Sequence, residues 1–298
     1  RCTASGWLGV ARARRETLIT AYHLHLRNEL VSAVHALSGL GAEMARLGSR
    51  HAEDLMPDYT YLQAAQPTSF GHYISAFSSP VLRDLERLQN LHDRANLCPA
   101  GCGSMNGSVI YQNRAAQARR LGFAAPVAHA RDAMWQADTA IEAMSCAVAS
   151  AVGMDRLAED MMVFASAEFG FVRLSDRHSR ESKIMPQKRN PFALAYIRGL
   201  ANRLIGEQAG VAASGRTLTG QMDSRSLPYV AVPRALGSVS DAASLLAELL
   251  SEMAFDKVQA ETALASGSCC ASDLAERLCL DLRISFRDAH GVVGRLVT

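Results

Sequence analysis

Between Glu16 and about Leu47, apolar side chains return every three or four residues (Leu18, Ala21, Tyr22, Leu26, Leu30, Val34, Leu37, Leu40, Met44, Leu47), with no proline among them. That spacing keeps one stripe of a helix apolar and predicts a helix of about eight turns. Met56-Pro57 ends the pattern, because proline lacks an N–H and its ring clashes with the preceding turn. The same periodicity predicts long helices over 69–91, 126–152, 156–169, 191–213 and 230–250, with a Gly-rich loop at 99–107. Shorter helices are expected at 256–263, 271–279 and 286–297, so a small second domain should begin near residue 253. Helices of about twenty residues exceed the usual length of roughly 11–12. Their apolar stripes are too wide for a single neighbour. The expected fold class is therefore all-α, a bundle of long helices extended by other copies of the chain.

Composition narrows the function classes. Lys and Arg number 31 against 29 Asp and Glu, a net charge of +2 that gives no reason to expect a nucleic acid or membrane partner. The seven cysteines (Cys2, Cys98, Cys102, Cys146, Cys269, Cys270, Cys279) are odd in number and scattered, as expected of reduced thiols in a cytoplasmic protein. Cys98 and Cys102 have no second Cys/His pair at matching spacing, so no metal site is expected. No apolar run is long enough to span a bilayer, and no signal peptide is read at the start. The chain opens on Arg1 rather than Met, and Arg1 to Val10 reads as a mid-protein loop, as in a piece of a longer protein.

The most unusual stretch runs from Ser175 to Pro191, where polar and charged residues crowd between two apolar helices. Pro186 forbids helix across its middle, while Pro191 stands where the first turn of the next helix tolerates it. A polar loop delivered onto a helix N-terminus suits an anion such as a carboxylate. On composition alone, a solvated connector remains an open alternative.

The order of residues says more. Ser182-Lys183-Ile184-Met185-Pro186-Gln187-Lys188-Arg189-Asn190-Pro191 resembles the signature loop of the fumarase/aspartase superfamily, in which Gly-Ser-Ser precedes Ile-Met-Pro-x-Lys-x-Asn-Pro. The Gln after Pro186 resembles the argininosuccinate lyase branch. Met56 to His72, Pro99 to Gly107 with Leu121-Gly122-Phe123, Ser166 to Asp176, and Phe286 to Val297 resemble further family blocks in the same order. The resemblance implies a fumarase/aspartase-type bundle in which 1–15 end an incomplete N-terminal domain, 16–253 form the central domain, and 254–298 begin a C-terminal one.

It also implies a chemistry. Enzymes of this family cleave a C–N bond by β-elimination and release fumarate, without a cofactor, in homotetramers whose sites are shared between subunits. The proton removed is weakly acidic, so the site must stabilise extra negative charge. By resemblance Ser182 is the general base, and it needs cationic and backbone N–H neighbours to favour its alkoxide. Lys188 and Asn190 bind the reacting carboxylate, and Thr60 and Gln63 add hydrogen bonds. Arg12 and Arg14 can meet substrate carboxylates bidentately.

Departures from the pattern bear on the substrate. Tyr61 replaces the His of the family's Thr-His-Leu-Gln block, and Ala195 replaces the Glu with which that His pairs. Joint loss avoids stranding a buried Glu, and the Tyr61 phenol can still donate a proton. Glu181 and Lys183 make the signature loop stiffer and more charged, while Gly215 to Arg225 replaces the segment whose Tyr, Lys and Gln hold argininosuccinate. The reading is a lyase acting on an N-substituted aspartate, most like argininosuccinate lyase. The alternatives are another amine, as in ethylenediamine-disuccinate, or a non-catalytic protein like the lens crystallins of this family.

Overall fold

The computed structural model describes residues 3–297, so Cys2 lies outside the described residues. Along the chain run α1 (Arg14–Arg50), β1 (Leu55–Thr60), β2 (Gln63–Ser69), α2 (Phe70–Ala95), β3 (Leu97–Cys98), α3 (Arg114–Arg120), β4 (Ala125–Pro126), α4 (Ala130–Trp135) and α5 (Asp138–Phe164). Then come β5 (Val172–Arg173), β6 (Arg180–Glu181), β7 (Arg189–Asn190), α6 (Phe192–Ser214), α7 (Ser226–Glu252), β8 (Ala254–Phe255), α8 (Lys257–Ser266), α9 (Ala271–Leu282) and α10 (Phe286–Val297). The chain is 68% helical, and every ladder among the described residues is a two-stranded one, so the all-α expectation holds. No helix among the described residues is long and apolar enough to cross a membrane.

Several boundaries differ from the sequence reading. Residues 126–152 are not one helix: α4 ends where Gln136 turns extended (φ −68°, ψ 146°), and α5 starts afresh at Asp138. Nor does Gly153 break α5, which runs through it because Ala151, Met154, Leu157 and Ala158 on either side are buried. Tertiary packing outweighs glycine's modest intrinsic penalty there. The opening segment is a 3-10 helix over Thr3–Gly9 rather than a loop. On α1 the buried stripe is Ile19, Tyr22, Leu26, Leu30, Ala33, Leu37, Leu40, Met44 and Leu47, whereas Leu18 is 52% exposed and Ala21 and Val34 are not in the core. The stripe is offset by one residue at its start.

The chain divides into two compact units. The first comprises 1–40, 80–156 and 196–246. Here Ile19, Cys102, Met134 and Met222 form one buried cluster, flanked by Met105, Val127 and Tyr229. Cys98, Ala118 and Phe123 form another. The parallel β3–β4 pair ties 97–98 to 125–126.

The second unit comprises 41–79, 157–195 and 247–298. Its α1 and α2 segments meet closely: a Cβ on Gly71 would lie 2.3 Å from the Gly48 carbonyl oxygen and 2.7 Å from that of His51, so only glycine permits the approach. The Gly71 N–H uses the gap to donate to the His51 carbonyl at 2.9 Å. Phe70 is fully buried and stacks on Phe255 at 4.3 Å, while Tyr59, Phe164, Phe169 and Phe171 form an aromatic cluster behind β1. At the far end of the chain, Ala275, Ala289 and Val293 pack α9 on α10.

Candidate active site

The signature segment is a hairpin. Strands β6 and β7 pair antiparallel, Arg180 with Asn190 and Glu181 with Arg189, and the Ser182 N–H donates to the Lys188 carbonyl at 3.1 Å. Arg189 bridges Asp176 and Glu181, each at 3.0 Å, and Asn190 Nδ2 donates to the Arg180 carbonyl at 3.3 Å. At the tip the chain folds so that the Lys188 N–H reaches the Met185 carbonyl at 3.0 Å.

This turn gives Ser182 its environment. Its Oγ accepts the Met185 N–H at 3.1 Å and lies 3.4 Å from the Ile184 nitrogen. Converging N–H dipoles favour an oxyanion over a neutral hydroxyl. The backbone donors to this oxygen are thus supplied by its own loop. Lys183 and Lys188 are exposed, and neither forms an ion pair among the described residues. Both ammonium groups are free to face an incoming anion.

Thr60 and Gln63 sit opposite each other at the end of the β1–β2 hairpin, which the sequence reading did not foresee. The turn between them is Tyr61-Leu62, and both residues hold left-handed conformations (φ 54° and 58°). Turns of this shape prefer Asn-Gly because a side chain at positive φ crowds its own backbone. Tyr61 is completely exposed and Leu62 is 61% exposed, so packing within the chain does not hold them there. Strain of this kind gathers at functional sites. Leu62→Gly should raise stability by about 0.5–1 kcal/mol, the relieved strain less the entropy glycine loses on folding. A denaturant midpoint no higher than wild type would refute the strain.

The same unit holds both hairpins, yet no hydrogen bond or ion pair among the described residues links Thr60, Tyr61 or Gln63 to Ser182, Lys188 or Asn190. Arg12 and Arg14 belong to the other unit, where both are exposed and form no ion pair among the described residues. Their neighbour Arg15 pairs with Asp223 at 3.2 Å.

Two groups escaped the sequence reading. Glu16, only 4% exposed, accepts the N–H groups of Gly101 at 2.9 Å and Gly103 at 2.5 Å. Those glycines have positive φ (90° and 60°), and a Cβ on Gly103 would lie 2.6 Å from the Gly107 carbonyl oxygen. The carboxylate thereby anchors the Gly-rich loop on the first turn of α1. The second is His178, buried behind the signature hairpin, with Nδ1 2.9 Å from Ser175 Oγ and 3.5 Å from Glu252. Its position in a charged run was the only sequence signal.

Known proteins share this architecture. An EDDS lyase variant with bound fumarate aligns with TM-score 0.92 and 25% identity over 98% of this chain and 58% of its own. EDDS lyase in complex with formate gives TM-score 0.92 and 25% identity, over 99% and 59%. A fumarate lyase:delta crystallin from Brucella melitensis bound to cobalt shares the fold at TM-score 0.85 and 19% identity, over 99% and 65%. The chain thus spans less than two thirds of the length of these structures. It has the all-α fumarase/aspartase fold. The profile of the family described as Lyase matches residues 2–206 of the 298, and the chain belongs to that family.

Proposed function

We propose that the chain forms part of a lyase that eliminates an amine from an N-substituted aspartate and releases fumarate. The observation that carries this reading is the pair of backbone N–H groups converging on Ser182 Oγ. In the proposed reaction Ser182 takes the proton from the carbon beside a carboxylate. Lys188 and Asn190 hold that carboxylate while it carries the extra charge, Lys188 by its fixed positive charge. The C–N bond then breaks, its electrons leave with the amine, and the Tyr61 hydroxyl donates the proton the amine needs. Thr60, Gln63, Arg12 and Arg14 bind the remaining carboxylates.

The large apolar side chains exposed on long helices, among them Leu18, Val31, Leu82, Ile205 and Val230, support a homotetramer whose sites are completed by neighbouring copies. We place the enzyme in the cytoplasm, with 254–298 beginning its C-terminal domain. Argininosuccinate is one substrate reading. The likeness to EDDS lyases, with Tyr61 and Ala195 in place of the charge pair, favours an aminopolycarboxylate such as ethylenediamine-disuccinate. Incubating the protein with ethylenediamine-disuccinate and with argininosuccinate, and following fumarate by ultraviolet absorbance, should show turnover of the former. Fumarate from neither, nor from any other N-substituted aspartate, would favour the crystallin-like reading instead.

A further inference from the structure

A cavity of about 230 Å³ lies inside the first unit, walled by the first half of α1, the 127–140 segment and the start of α7. None of its lining residues takes part in the proposed elimination, so a ligand held there is independent of Ser182 and its hairpin. Arg225 and Tyr22 line it, and they are 5% and 7% exposed. Neither is fully satisfied. Arg225 Nε and the Tyr22 hydroxyl have no hydrogen-bond partner, and no carboxylate pairs with Arg225 among the described residues. A buried cation is ordinarily matched by an anion, because its desolvation is costly.

The neighbours sharpen the match. Arg225 donates to the Tyr229 hydroxyl, and the Tyr22 and Tyr229 rings lie 4.7 Å apart at 38°. Burial pushes the Tyr22 hydroxyl well above its ordinary pKa, so it stays a neutral donor. Burial lowers the pKa of His23 and keeps the ring neutral at neutral pH, against the raising effect of the Ala95 carbonyl 3.0 Å from its Nδ1. Arg94 is paired with Glu142. Asp132 and Asp138 also line the cavity, but neither pairs with Arg225, which is therefore the unpaired cation of this wall. Its planar guanidinium and the Tyr22 O–H fit the two oxygens of a carboxylate. The volume of about 230 Å³ leaves room for a short acid.

We propose that this cavity is a binding site for a small carboxylate, held by Arg225 and Tyr22. Butyrate serves as the probe and its neutral amide as the control, titrated calorimetrically into the protein. Butyrate should bind one site per chain, and equally in wild type and Lys188→Ala. Butyramide should bind about tenfold more weakly or worse, and Arg225→Met should lose a similar factor, as expected for a charge-assisted pair. Tyr22→Phe removes one hydroxyl while keeping the ring packing, and should weaken binding about threefold or more. The proposal is overturned if butyrate does not bind, if butyramide binds as well, or if Tyr22→Phe and Arg225→Met both bind butyrate as tightly as wild type. Binding abolished by Lys188→Ala would place the ligand on the signature hairpin and overturn it equally.

Discussion

Ser182→Ala should lower kcat for fumarate release by about a thousandfold or more, at the strong end of what a positioned base contributes. The fold should not change. Ser182 sits at the base of an exposed hairpin tip, and the bonds that close it, Ser182 N–H to Lys188 and Lys188 N–H to Met185, are made by backbone. What is lost is the oxygen on which two backbone N–H groups converge. Those donors then point at an empty position that water can fill, so the thermal midpoint should move little. KM should stay within a few-fold, because Lys188 and Asn190, the proposed holders of the carboxylate, are unchanged. A variant with wild-type kcat would remove Ser182 from the base role. A variant that loses activity only by unfolding would leave the role to be carried by Ser182→Cys, whose thiolate at the same atom should restore part of the rate and shift its pH profile downward.

How much could be read from sequence depends on the range of the interactions. The long helices are written locally, in three- and four-residue spacing, and α2, α6 and α10 fall where that spacing puts them. The β1–β2 hairpin is not written so. Its turn is Tyr61-Leu62 rather than Asn-Gly, and its strands carry Pro57 and Pro67, so period-two alternation never develops. Ser182, Lys188 and Asn190 could be named because their block is contiguous. Glu16 lies 85 residues from Gly101, and one sequence shows no sign that the two meet. Arg225 likewise reads as one more arginine in a charged turn until Tyr22 and Tyr229 are seen around it. The second unit shows the same division: the polar loop that carries Ser182 is legible, while its β6–β7 pairing and the buried His178 are not.

Glu16→Ala should destabilise the protein by about 2–5 kcal/mol, because two buried backbone N–H groups lose their acceptor at once. Glu16 occupies the first turn of α1, where a negative charge also meets the positive end of the helix dipole. Among the described residues no other acceptor reaches the Gly101 and Gly103 N–H groups, and the positive φ of both glycines is held by their grip on the carboxylate. Glu16→Gln keeps one carbonyl oxygen but sets an amide N–H against the second donor, so it should cost about half as much. The loss should fall on the Gly-rich loop first: amide hydrogen exchange at Gly101 and Gly103 should quicken before exchange in the core of α5 does. Cys102 lies between the two glycines and packs with Ile19, Met134 and Met222, so a loosened loop also opens that cluster. A denaturant midpoint within about 0.5 kcal/mol of wild type would show that water replaces the carboxylate without penalty, and that the loop is held by its apolar contacts alone.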